Sequence, residues 1–269
     1  MKDKHSFEEY LKRENLCENT IQSYLWTVRY FKANYGEINK KNLLAYKGYL
    51  TESYKPKTVN LRIQAMNKYL IYIGAESLKM KSVKIQQKTF LENVISNADY
   101  EFLKNKLMED GQDEWYFIVW YLTATGARVS ELLEMKIEHV RCGYFDLYGK
   151  GGKLRRLYIP KRLKEQTLNW LGQNGRNSGY LFLNRFGTRI SAHGIWQQLK
   201  GFAIKYGIDP KVVYPHSFRH RFAKNFLDSF NDIALLADLM GHESIETTRI
   251  YLRRTSCEQQ EIVDRVVTW

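Results

Sequence analysis

Three cysteines in 269 residues, Cys17, Cys142 and Cys257, are too few and too widely spaced for a disulfide framework. They suit reduced thiols in a cytoplasmic protein. A secretory leader is missing too, since the opening MKDKHSFEEYL holds no apolar core. No window approaches the roughly 20 apolar residues of a membrane span. No low-complexity stretch argues for disorder, and no period of repeat length runs through the chain. Acidic residues are the other shortage: 29 Asp+Glu stand against 42 Lys+Arg, a formal charge of +13. Such an excess favours a polyanionic partner, because each neutralised phosphate releases counterions. An acidic membrane surface would attract the same charge, but no basic amphipathic anchor or lipidation signal supports it. The expectation is a soluble, cytoplasmic protein directed at nucleic acid.

What is present is mostly helical pattern. In ENTIQSYLWTVRYFKANYG, residues Ile21, Tyr24, Leu25, Val28 and Phe31 recur at helical spacing and Gly36 ends the run. NKKNLLAYKGYL predicts a shorter helix, and KPKTVNLRIQAMNKYLIYIG predicts another with Val59, Ile63, Met66, Leu70 and Ile73 on one face. With SFEEYLKREN these make a four-helix domain over residues 1–80. Residues 1–90 carry 17 Lys+Arg and 8 Asp+Glu, so a third of the chain holds nine of its thirteen excess positive charges. Solvated lysine faces would account for that, as would a bundle laid against a duplex. Residues 81–95 have no clean period and read as a basic linker.

Residues 96–269 form a second domain. DEWYFIVWYLTATG is apolar nearly all round and reads as a buried central helix. ARVSELLEMKIEHV reads as one further helix. YFDLYG and KLRRLYIP flank KGGK as a two-stranded hairpin. Helices follow near 161–171, 192–206, 216–229, 232–240 and 245–252. The fold class is mainly α, with a small antiparallel sheet in the second domain.

Four clusters could carry chemistry. Arg128 in TGARVSEL follows a helix break, Lys150 in GKGGK sits at a hairpin tip, and His216 and Arg219 in PHSFRHRF share a helix face; His242 and Tyr251 come from GHESIETTRIY. Each has an ordinary explanation: a surface arginine, a solvated lysine, a core tyrosine. His216 with His220 has metal-pair spacing, but no third ligand is suitably placed. Together the residue types suit displacement of an alkoxide at a phosphodiester. Two guanidinium forks match the non-bridging oxygens, a lysine can protonate the leaving oxygen, histidines can take a proton, and a phenol can attack reversibly. No metal or cofactor is required.

Arg128 in TGARVSEL, Lys150 in GKGGK, His216-x-x-Arg219 in HSFRH, and MGHESIETTRIY resemble, in order and spacing, the signature of the tyrosine recombinases, or phage-type integrases. The helical residues 1–80 resemble that family's SAM-like core-binding domain. The resemblance implies that Tyr251 attacks a DNA phosphate, giving a 3′-phosphotyrosyl link and a free 5′-hydroxyl. Arg128 and Arg219 would hold the non-bridging oxygens, Lys150 would protonate the 5′-oxygen, His216 would be the base for Tyr251, and His242 would bond the phosphate. Glu131 fits a position that supports the site. Lys150 matches the family's hairpin lysine, although chemistry alone does not exclude Lys153.

The resemblance also implies a two-domain clamp on double-stranded DNA with a specific core site, and a homotetramer on two such sites. Ile262, Val263, Val266, Val267 and Trp269 would serve a tail that docks on a neighbouring protomer, or one that packs on its own domain. With a bundle beginning near Met1, a Xer-like recombinase without an arm-binding domain is expected. A DNA-binding protein of the same fold without catalysis, and a type IB topoisomerase, are the alternatives.

Overall fold

The computed structural model describes residues 4–85, 93–148, 154–242, 244–252, 256–267 and 269. The chain forms two compact units, residues 1–87 and 88–269. It is mainly α-helical, with one two-stranded antiparallel sheet.

The first unit holds α1 (Lys4–Arg13), α2 (Glu18–Tyr35), α3 (Lys40–Ser53) and α4 (Pro56–Tyr72). Asn39 caps α3 by accepting the Asn42 N–H, and Pro56 opens α4 where no intrahelical N–H is needed. Phe31, Tyr46, Ile63, Met66 and Leu70 are fully buried between the helices. The segment after α4 is anchored to the same unit. Asn67 pairs with the backbone N–H and carbonyl of Met80, and Asn60 does the same for Val83. Residues 80–83 are thus strapped to α4 by two carboxamides, where sequence pattern alone suggests the start of a linker. The other end is fixed to the second unit, where the Ile95 N–H donates to Ser217 Oγ at 2.8 Å.

The second unit begins with α5 (Asn97–Glu109), capped by Ser96, and α6 (Asp113–Thr125). Helix α6 is the central helix that its composition predicts, with Phe117, Ile118, Val119, Tyr121 and Leu122 buried. It stops at Gly126, whose φ of +61° is left-handed. A Cβ there would lie 2.4 Å from the Phe222 ring, so the chain passes close against its neighbour only because this residue is glycine.

The single helix expected over 127–140 is two short ones, α7 (Val129–Leu133) and α8 (Ile137–Cys142). A distant strand-like segment breaks it. The Met135 carbonyl accepts from Leu181, Ile137 donates to the Gly179 carbonyl, and Lys136 bridges Tyr180. No local pattern encodes that pairing.

The hairpin follows as β1 (Tyr144–Tyr148) and β2 (Leu154–Tyr158), with Leu147 opposite Arg155 and Asp146 opposite Arg156. Then come α9 (Lys161–Gln173), α10 (Ala192–Lys205), α11 (Pro215–Ser229) and α12 (Ile233–Met240). Helix α11 packs along α6 and closes the main core through Phe218. The helix expected at 245–252 is one α turn, α13 (Ile245–Thr248), tightened into a 3₁₀ turn over Arg249–Leu252. Helix α14 (Ser256–Val266) ends the chain. Among the described residues, no helix is long and apolar enough to cross a membrane.

Candidate active site

The site forms where the turns after α6 and α12 meet α11 and β2. Arg128 is the second residue past Gly126 and stands at the N-cap of α7. Its backbone N–H donates to Glu131 Oε2 at 2.7 Å, and its Nη1 donates to Glu131 Oε1 at 2.7 Å. Its Nη2 donates to the Gly241 carbonyl at 3.2 Å. One carboxylate therefore closes the helix start and aims the arginine, while 37% of that side chain stays open to solvent.

Arg219 is only 3% exposed. Its Nη1 donates to the Gly126 carbonyl, and its Nη2 reaches the Met240 carbonyl at 2.7 Å and His242 Nε2 at 3.2 Å. Glu131 Oε2 lies 3.9 Å away. A guanidinium can only donate, so His242 Nε2 is an acceptor and the ring proton sits on Nδ1. That nitrogen faces Thr248 Oγ1 at 2.8 Å, where the buried threonine fixes the ring from behind.

Tyr251 is 6% exposed and packs against Ala223, Leu227, Leu236 and Met240. Its ring stacks on His242, with centroids 6.2 Å apart at 12°, and meets His220 at 5.3 Å. Burial raises the phenol above its ordinary pKa, and Arg219 and Arg128 pull it back. His216, paired with Tyr251 in the sequence reading, is exposed one turn earlier on α11, 6.3 Å from His220. The imidazole of α11 that meets Tyr251 is His220, whose Nδ1 is buried without a partner among the described residues.

Lys150 and its neighbour Lys153 lie outside the described residues. The strand that follows them reaches the site through a residue absent from the sequence reading. Arg155 donates to Glu131 Oε1 at 2.6 Å and to the Leu239 carbonyl at 2.8 Å. A signal for it exists in KLRRLYIP: strand alternation puts Arg155 on the same face as buried Leu157. An inward-facing arginine needs a partner, and Glu131 supplies it.

This geometry brings Arg128, Arg219, His242 and Tyr251 together and leaves His216 at the rim. The phage integrase family matches residues 103–257, more than half of the chain. Tyrosine recombinase XerA of Pyrococcus furiosus is 31% identical over 271 residues, covering 96% of this chain and 92% of that protein. The chain belongs to the phage integrase family. Among solved structures, XerH recombinase bound to difH substrate aligns with a TM-score of 0.71 at 19% identity, covering 99% of this chain and 85% of XerH. A lambda integrase tetramer bound to a Holliday junction aligns at 0.72 and 15% identity, covering 92% and 75%. These likenesses show the fold.

His220 and His242 are both pushed down to about 4, first by burial and then by surrounding cations. His216 and Arg219 act on His220; Arg219, Arg128, Arg155 and His220 act on His242. Both rings are therefore neutral at pH 7. The unfolded chain takes up those protons near its ordinary pKa of about 6.5, so stability is full above that value and is lost as the pH falls towards 4. By about pH 5 the loss should be on the order of 2 kcal/mol from His220, with a smaller, solvent-screened contribution from His242. Thermal melts from neutral to mildly acid pH check this, with a flatter profile expected for His220→Phe. A melting temperature that stays level over this range would count against two buried neutral rings.

Proposed function

We propose that this protein is a site-specific DNA recombinase that cuts and rejoins strands through a 3′-phosphotyrosyl link at Tyr251. Family membership supports the recombinase reading. The observation that carries the finer one is the shared turn at 239–242. Arg128 and Arg219 both end on its carbonyls, and it bears the His242 ring that stacks on Tyr251.

In this mechanism the Tyr251 oxygen attacks the phosphorus and gives up its proton to an imidazole. The motif assigns that role to His216, which takes over once Tyr251 leaves its buried place against His220 to reach the phosphate. The bond to the 5′-oxygen breaks, and Lys150 protonates that oxygen. Arg128 and Arg219 bond the two non-bridging oxygens, whose charge grows in the transition state. Once Arg219 leaves its Nε2, His242 can carry its proton there and donate a further hydrogen bond, with Nδ1 accepting from Thr248 Oγ1. Attack by a 5′-hydroxyl from another strand reverses the step and exchanges strands. Reversal needs no outside energy, because the phosphotyrosyl ester replaces the phosphodiester. Two duplexes exchanging strands call for four such sites, and the lambda integrase tetramer supports a homotetramer as the working assembly.

A suicide duplex, nicked so that the cleaved end diffuses away, tests the reading. The duplex is selected by the protein from a random pool. Wild-type protein should accumulate an adduct that survives denaturing electrophoresis in the presence of a chelator. Digestion and mass spectrometry should place the nucleotide on Tyr251. An adduct on another residue would remove Tyr251 from the role, and tight binding without any adduct would favour a non-catalytic DNA-binding protein.

A further inference from the structure

The last carbonyls of α12 are taken by three arginines in succession. Leu239 accepts from Arg155, Met240 from Arg219 and Gly241 from Arg128. Helix ends leave such carbonyls unpaired and partly negative, so this terminus presents oxygens to the same forks that a phosphate would engage. The three arginines differ in what they can do next. Arg128 is about one-third exposed, and Arg219 touches His242 at the site's inner wall. Arg155 is 9% exposed and held on two sides by Glu131 and Leu239.

We propose that Arg155 is a positioning residue that keeps the His242 turn in place when Arg128 and Arg219 release its carbonyls to hold the scissile phosphate. This rests on the recombinase reading above. In the free protein all three guanidiniums fasten the turn. With phosphate present, two of them transfer donors to its oxygens, and the Met240 and Gly241 carbonyls lose partners. The Leu239 carbonyl keeps its own, because Arg155 is tied through Nε to Leu239 and through Nη1 to Glu131, whereas Arg219 already faces the site beside His242.

Its packing supports the assignment. A Cβ at Gly241 would lie 2.4 Å from Arg155 Cδ, so the arginine stem lies directly against the turn. Gly241, at φ +60°, is the C-cap of α12, and the next residue is His242. Arg155 Nη2 is buried with no hydrogen-bond partner among the described residues. A buried guanidinium with an unused donor is costly, and a role besides stability accounts for its retention. Arg155 also sits near the start of β2, so the anchor ties that strand to the turn that bears His242.

Hydrogen exchange of the α12 terminus, read with and without the selected duplex, tests this. The Gly241 and His242 amides donate to the Asp238 and Ala237 carbonyls and report the turn directly. In Arg155→Met their exchange should rise less than about 3-fold in the free protein and about 10-fold or more with DNA bound, relative to wild type. Arg155→Lys, which keeps the charge and can reach the Leu239 carbonyl, should recover most of the protection. Cleavage supplies a second reading. Arg155→Met should slow adduct formation at saturating DNA by about 30-fold with affinity little changed, yet add less than about 2-fold on a His242→Ala background. Equal deprotection with and without DNA, or fully multiplicative rate losses, would overturn the proposal in favour of a general structural role. Should wild type form no adduct, the recombinase reading fails, while the exchange measurement still decides what Arg155 does. If Arg155→Met does not fold, Arg155→Gln, which keeps a polar end but cannot reach both Glu131 and Leu239, carries the same comparison.

Discussion

Tyr251→Phe is expected to abolish the covalent adduct, a fall beyond about 1,000-fold, while DNA affinity and melting temperature stay near wild type. The expected combination follows from how the ring is held. Its burial comes from aromatic carbon against Ala223, Leu227, Leu236 and Met240, and from stacking on His242, all of which phenylalanine keeps. The substitution removes one oxygen whose ionised form Arg219 and Arg128 favour. Losing one such hydrogen bond costs about 1 kcal/mol, or roughly 2–4 °C in a unit of this size. Arg128 and Arg219, the proposed phosphate donors, remain, so binding should persist. Adduct gels, equilibrium binding and thermal melts on the same samples make the comparison. Residual adduct in the phenylalanine variant would show that another nucleophile acts.

Glu131→Gln should cost both stability and activity. One carboxylate, 13% exposed, receives Arg128 and Arg155 at 2.7 and 2.6 Å and has Arg219 at 3.9 Å. Burial pushes the Glu131 carboxyl up, but the adjacent Arg155 and Arg128 outweigh it and leave the group below its usual range. The amide would leave three guanidiniums facing one another with no anion and would turn a donor towards one of them. Removing one partner from a buried ion pair costs about 3–5 kcal/mol, roughly 6–15 °C for this unit. Cleavage should fall about 100-fold as Arg128 loses its aim. Denaturant unfolding and suicide-substrate rates measure the two effects. A variant as stable as wild type would mean that the carboxylate is not the centre of the cluster.

Much of this arrangement is legible in the sequence. The 3.6-residue pattern in 18–35 and 56–72 marks helices that bury those faces, the all-round apolar run in 113–125 marks the buried central helix, and KGGK between alternating segments marks the hairpin. Three of the four short motifs lead to Arg128, Arg219, His242 and Tyr251, which the fold gathers around two turns; the fourth, GKGGK, carries Lys150, outside the described residues. Less legible are features that depend on a distant partner. The break between α7 and α8 is imposed by residues 179–181, more than 40 positions away. Arg155 looks like one basic residue among several in KLRRLYIP, since its burial requires α12 to close over it. His220 stands beside Tyr251 because the 3₁₀ turn at 249–252 sets the phenol against that turn of α11, whereas sequence spacing singles out His216.

The three arginines come from residues 128, 155 and 219, and they converge on one carboxylate and on one helix end. None of α7, β2 or the α12 terminus can separate without breaking the ties of the others. The site therefore behaves as a single cooperative opening unit in the native ensemble, rather than as independently fraying loops. Partial opening that freed His242 alone, or Arg128 alone, is suppressed. In the proposed recombinase the chemistry would then be either assembled or absent, which would limit half-formed sites that nick DNA without the means to reseal it.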